Sequence, residues 1–198
     1  MPRNSVRVAV SLLAAAFATA SFASGVIAQA ADTSDTARGL ELEAAGKYRE
    51  AIVLFRRALT GAQDQNALFG LERALHELGQ SDSLLAPLDS LIARSPREAV
   101  YRTVQLRTLG MLGREPQART AFDRWLAAVP HDPTPYREFA RLLLDAGRVS
   151  AADSVIARAR TALGGTRELQ FEVARLRAAA GAWGESAAAW RAALHATP

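Results

Sequence analysis

Apolar residues recur along this chain with the period of an amphipathic helix. Tyr136, Phe139, Ala140 and Leu143 are spaced 3, 1 and 3 apart, which places them on one helical face. Ala152, Val155, Ile156 and Ala159 repeat the same spacing. Between the two stripes stands Gly147, whose freedom at positive φ suits a helix C-terminus. The alternation of stripe, glycine and stripe predicts ten helices, over 35–45, 48–60, 65–78, 82–94, 98–112, 116–128, 135–146, 149–162, 167–180 and 184–196. Pro116 and Pro135 fall at first helical positions, where the missing N–H costs nothing. Thr134 is the predicted N-cap of its helix.

The alternation keeps time. Gly46, Gly79, Gly113, Gly147 and Gly181 are separated by 33, 34, 34 and 34 residues, a period that marks a stacked helical repeat. Five residues after each glycine stand Ala51, Leu84, Ala118, Ala152 and Ser186. A small residue there lets two helices approach. Nine after it stand Phe55, Leu88, Phe122, Ile156 and Trp190, which fill the space between helices. Pro96, Pro130 and Pro198 lie seventeen after their glycines and stop the second helix, because proline disfavours helical geometry in the preceding residue.

The run G-x-Y-x-x-A-x-x-x-F-x-x-A-L from Gly46 to Leu59 resembles the second half of a tetratricopeptide repeat, and five copies in register extend the resemblance over 32–198. It implies an all-α, right-handed superhelical solenoid of about five stacked helix-turn-helix repeats, with copies near 32–64, 65–98, 99–132, 133–166 and 167–198. First helices would line a concave groove and second helices face outward. Two copies depart from the pattern. The second has Ser81 for an aromatic, Leu84 for the small residue and Pro87 inside its second helix. The fifth has Arg177 where an apolar residue packs, and no polar capping helix follows Trp190 and Leu194.

The first thirty residues stand apart. Arg3 and Arg7 precede an uncharged run from Val8 to Ile27, and Ala28-Gln29-Ala30 offers small residues at the cleavage positions. This is the pattern of a secretory signal peptide over 1–30, leaving 31–198 as the mature chain. Cysteine is absent, so disulfides, thiolate metal sites and a lipid-acceptor cysteine are excluded. A periplasmic or secreted protein is expected. No second apolar run is long enough to span a bilayer, so stable membrane insertion after cleavage is not expected. Without Arg3 and Arg7 the 24 basic residues become 22 against 20 acidic, a net +2. No block of like charge points to nucleic acid.

Candidate chemistry is sparse. His76, His131 and His195 fall in three different copies without a carboxylate or second histidine at ligand spacing, so neither a metal site nor a catalytic pair is expected. Gly164-Gly165 follows a helix and lacks a P-loop lysine. Neither a cofactor nor an enzymatic activity is predicted. One constellation stands out. Arg73, Arg107, Arg141 and Arg175 each precede their glycine by six residues, with Leu40 in the equivalent place of the first copy. The resemblance puts this position in the concave groove, with Phe69, Met111, Arg137 and Phe171 beside it. A row of guanidiniums suits the carboxylates of an acidic protein or peptide segment.

The same arginines have a plainer reading as helix-surface ion pairs. Glu77 stands four after Arg73, Asp145 four after Arg141 and Glu172 three before Arg175. Arg107 has no acidic residue at those distances and is expected to be the rung most available to a partner. Asn66 stands alone, so the asparagine ladder of the peptide-clamp subgroup is not matched. The leading functional reading is a non-enzymatic, exported interaction scaffold in bacterial envelope assembly or maintenance. Two others stand beside it: an N-terminal recognition module of a longer enzyme or secretion machine, and self-association through the bare face of the fifth copy.

Overall fold

A computed structural model describes residues 34–61, 64–165 and 167–196. The predicted signal peptide lies outside the described residues, as does Pro198. In chain order the helices are α1 (34–44), α2 (Tyr48–Gly61), α3 (Gln65–Glu77), α4 (Leu85–Arg94), α5 (Ala99–Met111), α6 (Glu115–Ala128), α7 (Thr134–Asp145), α8 (Val149–Leu163), α9 (Gln170–Ala179) and α10 (Trp183–Ala196). No strand occurs among the described residues.

All five glycine beats are left-handed, with φ of 71°, 66°, 66°, 69° and 77° from Gly46 to Gly181. At each beat the glycine amide returns to the carbonyl three residues back, at 2.9–3.0 Å, and the next amide to the carbonyl five back, at 2.7–2.9 Å. This is the Schellman closure, made five times. Two helix ends also fall where proline was expected to set them. α4 stops at Arg94 and α6 at Ala128; Ser95 and Val129, which precede the prolines, have ψ of 72° and 69°.

The beginnings of helices depart from expectation. The predicted 82–94 helix is divided into a 3-10 turn, Ser81–Leu84, and the shorter α4. Pro87 thereby sits in the first turn of α4, where its missing N–H leaves no helical bond broken. The predicted 167–180 helix likewise opens with a 3-10 turn, Arg167–Leu169. Thr134 is not an N-cap: it lies inside α7, and the Asp132 carboxylate accepts its amide at 2.8 Å. Pro133 and Pro135 on either side leave the Thr134 amide as the donor available to that side chain. At α3 the cap is Asp64, which accepts from the amides of Asn66 and Ala67 at 2.8 and 3.3 Å. Its other oxygen takes the hydroxyl of buried Thr36 at 2.6 Å, tying the cap to α1.

The chain divides into two compact units, Met1–Ser81 and Asp82–Pro198. The boundary falls within the second predicted copy, at its least regular point. The first unit centres on Phe55, fully buried, whose ring lies on Gly39 of α1 and Gly70 of α3. In the second unit each glycine-linked pair packs together: α5 with α6, α7 with α8, α9 with α10. First helices also pack in succession, α5 on α7 and α7 on α9, as stacked repeats require. Phe122 stacks on Phe139 at 4.6 Å and meets Tyr136 edge-on at 5.7 Å. The position five after the glycine is buried in every copy, and the position nine after it in four. The exception is Trp190, 40% exposed, whose ring meets that of Phe171 at 5.4 Å.

Candidate functional site

The arginines six before each glycine are committed to partners other than the expected ones. Arg73 does not pair with Glu77. Its Nε and Nη2 grip Glu43 of α1 bidentately at 2.6 and 2.8 Å, and this bond pushes the guanidinium pKa further up. Arg175 does not turn back to Glu172; its Nη2 reaches Asp145 of α7 at 2.6 Å. Both pairs join residues 30 apart, so each arginine holds the first helix of the preceding copy. Met111 lies 30 before Arg141 and offers no charge. Arg141 therefore pairs with Glu138 on its own helix rather than with Asp145, which Arg175 has taken. Arg107 is not the uncommitted rung either, since it too engages a partner. The i,i+4 rule failed here because a guanidinium is long enough to cross to the neighbouring helix, where the carboxylates lie 30 residues back.

The second unit brings three of the predicted residues together. Arg107 and Met111 from α5 and Arg141 from α7 line one cavity of about 470 Å³, with Leu142 and Gly110 as its apolar part and Glu138 and Asp145 as its acids. Gly110 lets Leu142 pack closely on α5: a Cβ there would meet Leu142 Cγ at 3.0 Å. Met111 is 52% exposed. Arg137, on α7, is half-buried, and exposed Phe171 stands on α9 against Trp190. Phe69 is half-buried on α3 in the first unit, as Arg73 is exposed there. The cavity is thus mixed in charge, with cations, carboxylates and apolar floor side by side.

In the sequence Glu172 of α9 offers only a helix partner for Arg175. It is half-buried, and its Oε2 has no hydrogen-bond partner among the described residues. Burial pushes its pKa up and the charge of Glu138 adds to this; a backbone hydrogen bond, Arg137 and Arg141 act in the opposite direction. His76, His131 and His195 are all exposed. No helix among the described residues is long and apolar enough to cross a membrane.

Glycine-closed hairpins stacked through their first helices define a helical-repeat scaffold, a class that works by binding other proteins along a surface made by several copies. Solved structures agree. A thermophilic tetratricopeptide-repeat protein from Thermus thermophilus is 25% identical, matched over 85% of this chain and 92% of that one, with a TM-score of 0.55. A tetratricopeptide repeat protein from Parabacteroides merdae is 17% identical over 84% of this chain and 66% of that one, at 0.56. MamA is 14% identical over 84% and 91%, at 0.50. No protein-family profile matches the sequence, and no curated protein matches it. The chain has the fold of tetratricopeptide-repeat proteins.

Proposed function

We propose that this protein is an exported, non-enzymatic scaffold that holds an acidic segment of a partner protein in the α5–α7 groove. The supporting observation is the cavity that gathers Arg107, Arg141 and Met111 beside Leu142. Arginine supplies a planar fork for carboxylates, and exposed methionine supplies an adaptable apolar contact. A partner's carboxylate would compete with Glu138 for the exposed guanidinium of Arg141. Arg73 and Arg175, bound to Glu43 and Asp145, serve first to align successive copies. Phe69, Arg137 and Phe171 are the flanking contacts of this reading.

Export to the envelope rests on the pattern of residues 1–30. Crosslinking in an envelope fraction tests both parts. Wild-type protein should be recovered outside the cytoplasm with a discrete partner, and Arg107→Ala/Arg141→Ala should lose that partner while remaining folded. Retention in the cytoplasm defeats the export reading; unchanged capture by the double variant defeats the groove.

A further inference from the structure

A second cavity, of about 490 Å³, lies in the second unit away from this groove, with α5 as its floor and α4 and α6 as its walls. Its size lies within the range of about 300–1,000 Å³ usual for small-ligand sites. The repeat register explains why it is open. In the next copy the corresponding space is bridged: Arg158 of α8 reaches Asp123 of α6 at 3.0 Å and lies 5.4 Å from the Phe122 ring centroid. Asp89 of α4 and Arg124 of α6 occupy the same two register positions. They do not join. Asp89 instead accepts from Gln105 Nε2 at 2.7 Å, and Arg124 makes no ion pair or hydrogen bond among the described residues. Leu88 stands where Phe122 would hold the arginine, and α4 has 10 residues against 14 for α6 because Pro87 delays its start.

The floor carries an unusual cation. Arg102 is only 7% exposed. Its Nε donates to the Pro96 carbonyl at 3.0 Å, and its Nη groups have no acceptor among the described residues. These Nη groups are not among the buried unpartnered atoms, so they open to the pocket rather than being sealed off, and partial burial lowers the pKa of the guanidinium. Arg102 and Arg124 together carry two positive charges on this pocket against the single Asp89. The rest of the lining divides into apolar surface from Leu85, Ile92 and Leu109 and neutral donors from Gln117 and Thr120.

We propose that this pocket binds a small organic monocarboxylate with an apolar body, the carboxylate between Arg102 and Arg124 and the body against Leu85, Ile92 and Leu109. A planar carboxylate fits the free side of a guanidinium bidentately. A net charge of +1, from Arg102 and Arg124 less Asp89, matches one anionic group, and the apolar walls select against a bare inorganic ion. The site is independent of the α5–α7 groove and of any partner bound there.

Titration calorimetry on the full chain tests it, with hexanoate, benzoate, their amides and inorganic phosphate as probes. The carboxylates should bind, and the amides and phosphate should not. Arg124→Ala, at an exposed position, should weaken benzoate by about tenfold, the scale of one lost charge-assisted contact. Arg102→Gln should do at least as much. Asp89→Asn, which removes the opposing charge, should tighten binding. Arg191→Ala, at an exposed position of α10 that lines neither cavity, should leave it unchanged. Absence of carboxylate binding at about 10 mM, a level that would detect even millimolar affinity, overturns the proposal. So do equal binding of acid and amide, binding of phosphate alone, or indifference to Arg124→Ala in a folded protein.

Discussion

Gly70 lies in the middle of α3, where alanine would ordinarily be preferred by about 1 kcal/mol. Here the sign should reverse. A Cβ at Gly70 would sit 2.4 Å from Phe55 Cζ and 2.6 and 2.8 Å from the two Cε atoms. Such contacts require the ring to move. It cannot retreat far, because it is fully buried and its Cε1 already lies 2.6 Å from where a Cβ on Gly39 would be. Gly70 has an ordinary helical backbone, so no backbone strain confuses the comparison. Overpacking of this kind costs about 1–3 kcal/mol. With three ring atoms inside 3.0 Å, the upper end applies, and subtracting the propensity gain leaves a net loss of about 2 kcal/mol for Gly70→Ala. Urea denaturation followed by circular dichroism measures it. Phe55→Leu removes the outer ring carbons and should lessen the penalty, with a coupling of about 1 kcal/mol or more in the double-mutant cycle. A stabilised Gly70→Ala, or a cycle that closes with no coupling, would refute the close approach of α1, α2 and α3 around this ring.

Glu172→Gln should raise stability at neutral pH. The folded state holds this carboxyl at a raised pKa, so its favourable contribution is present below the unfolded pKa and lost as pH rises through the folded one. The advantage of the variant should therefore vanish under acid, and a loss of stability at neutral pH would mean that Arg137 and Arg141 outweigh burial. Thr108 is fully buried and its hydroxyl has no partner among the described residues; Thr108→Val should stabilise by about 1 kcal/mol, and thermal denaturation that shows a loss would reveal a bond the hydroxyl makes. Trp183, at 70% exposure, and Leu194, at 67%, extend the uncovered face around Trp190. Sedimentation should show association that rises with concentration and is suppressed by Trp183→Ser/Leu194→Ser; a monomer at every concentration excludes self-association through this face.

What could be read from the sequence was whatever the period repeats. The left-handed glycines, the buried positions five and nine after them, and the helix stops at Pro96 and Pro130 all follow from backbone sterics and one apolar register. What escaped was whatever depends on a neighbouring copy. Glu43 and Asp145 hold Arg73 and Arg175 from the preceding helix, a relation invisible to rules for residues three and four apart. At α7 Asp132 accepts the Thr134 amide in place of a Thr134 cap, because flanking prolines decide which amide is free to donate. Pro87 was legible as a perturbation, but the 3-10 turn it favours, and the pocket left by a shortened α4, required the packing of α5 and α6 to be seen. Glu172 carried no sequence signal, since its burial comes from helices far along the chain.

The central claim is that the α5–α7 groove selects acidic segments through Arg107 and Arg141. A displayed library of random peptides, selected on the folded chain, tests it most directly. The wild-type protein should enrich peptides rich in Asp and Glu that also carry an apolar residue for Met111 and Leu142. Arg107→Glu/Arg141→Glu, with its helical content unchanged, should lose those peptides. Enrichment without acidic bias, or acidic peptides retained equally by the charge-reversed protein, would contradict it.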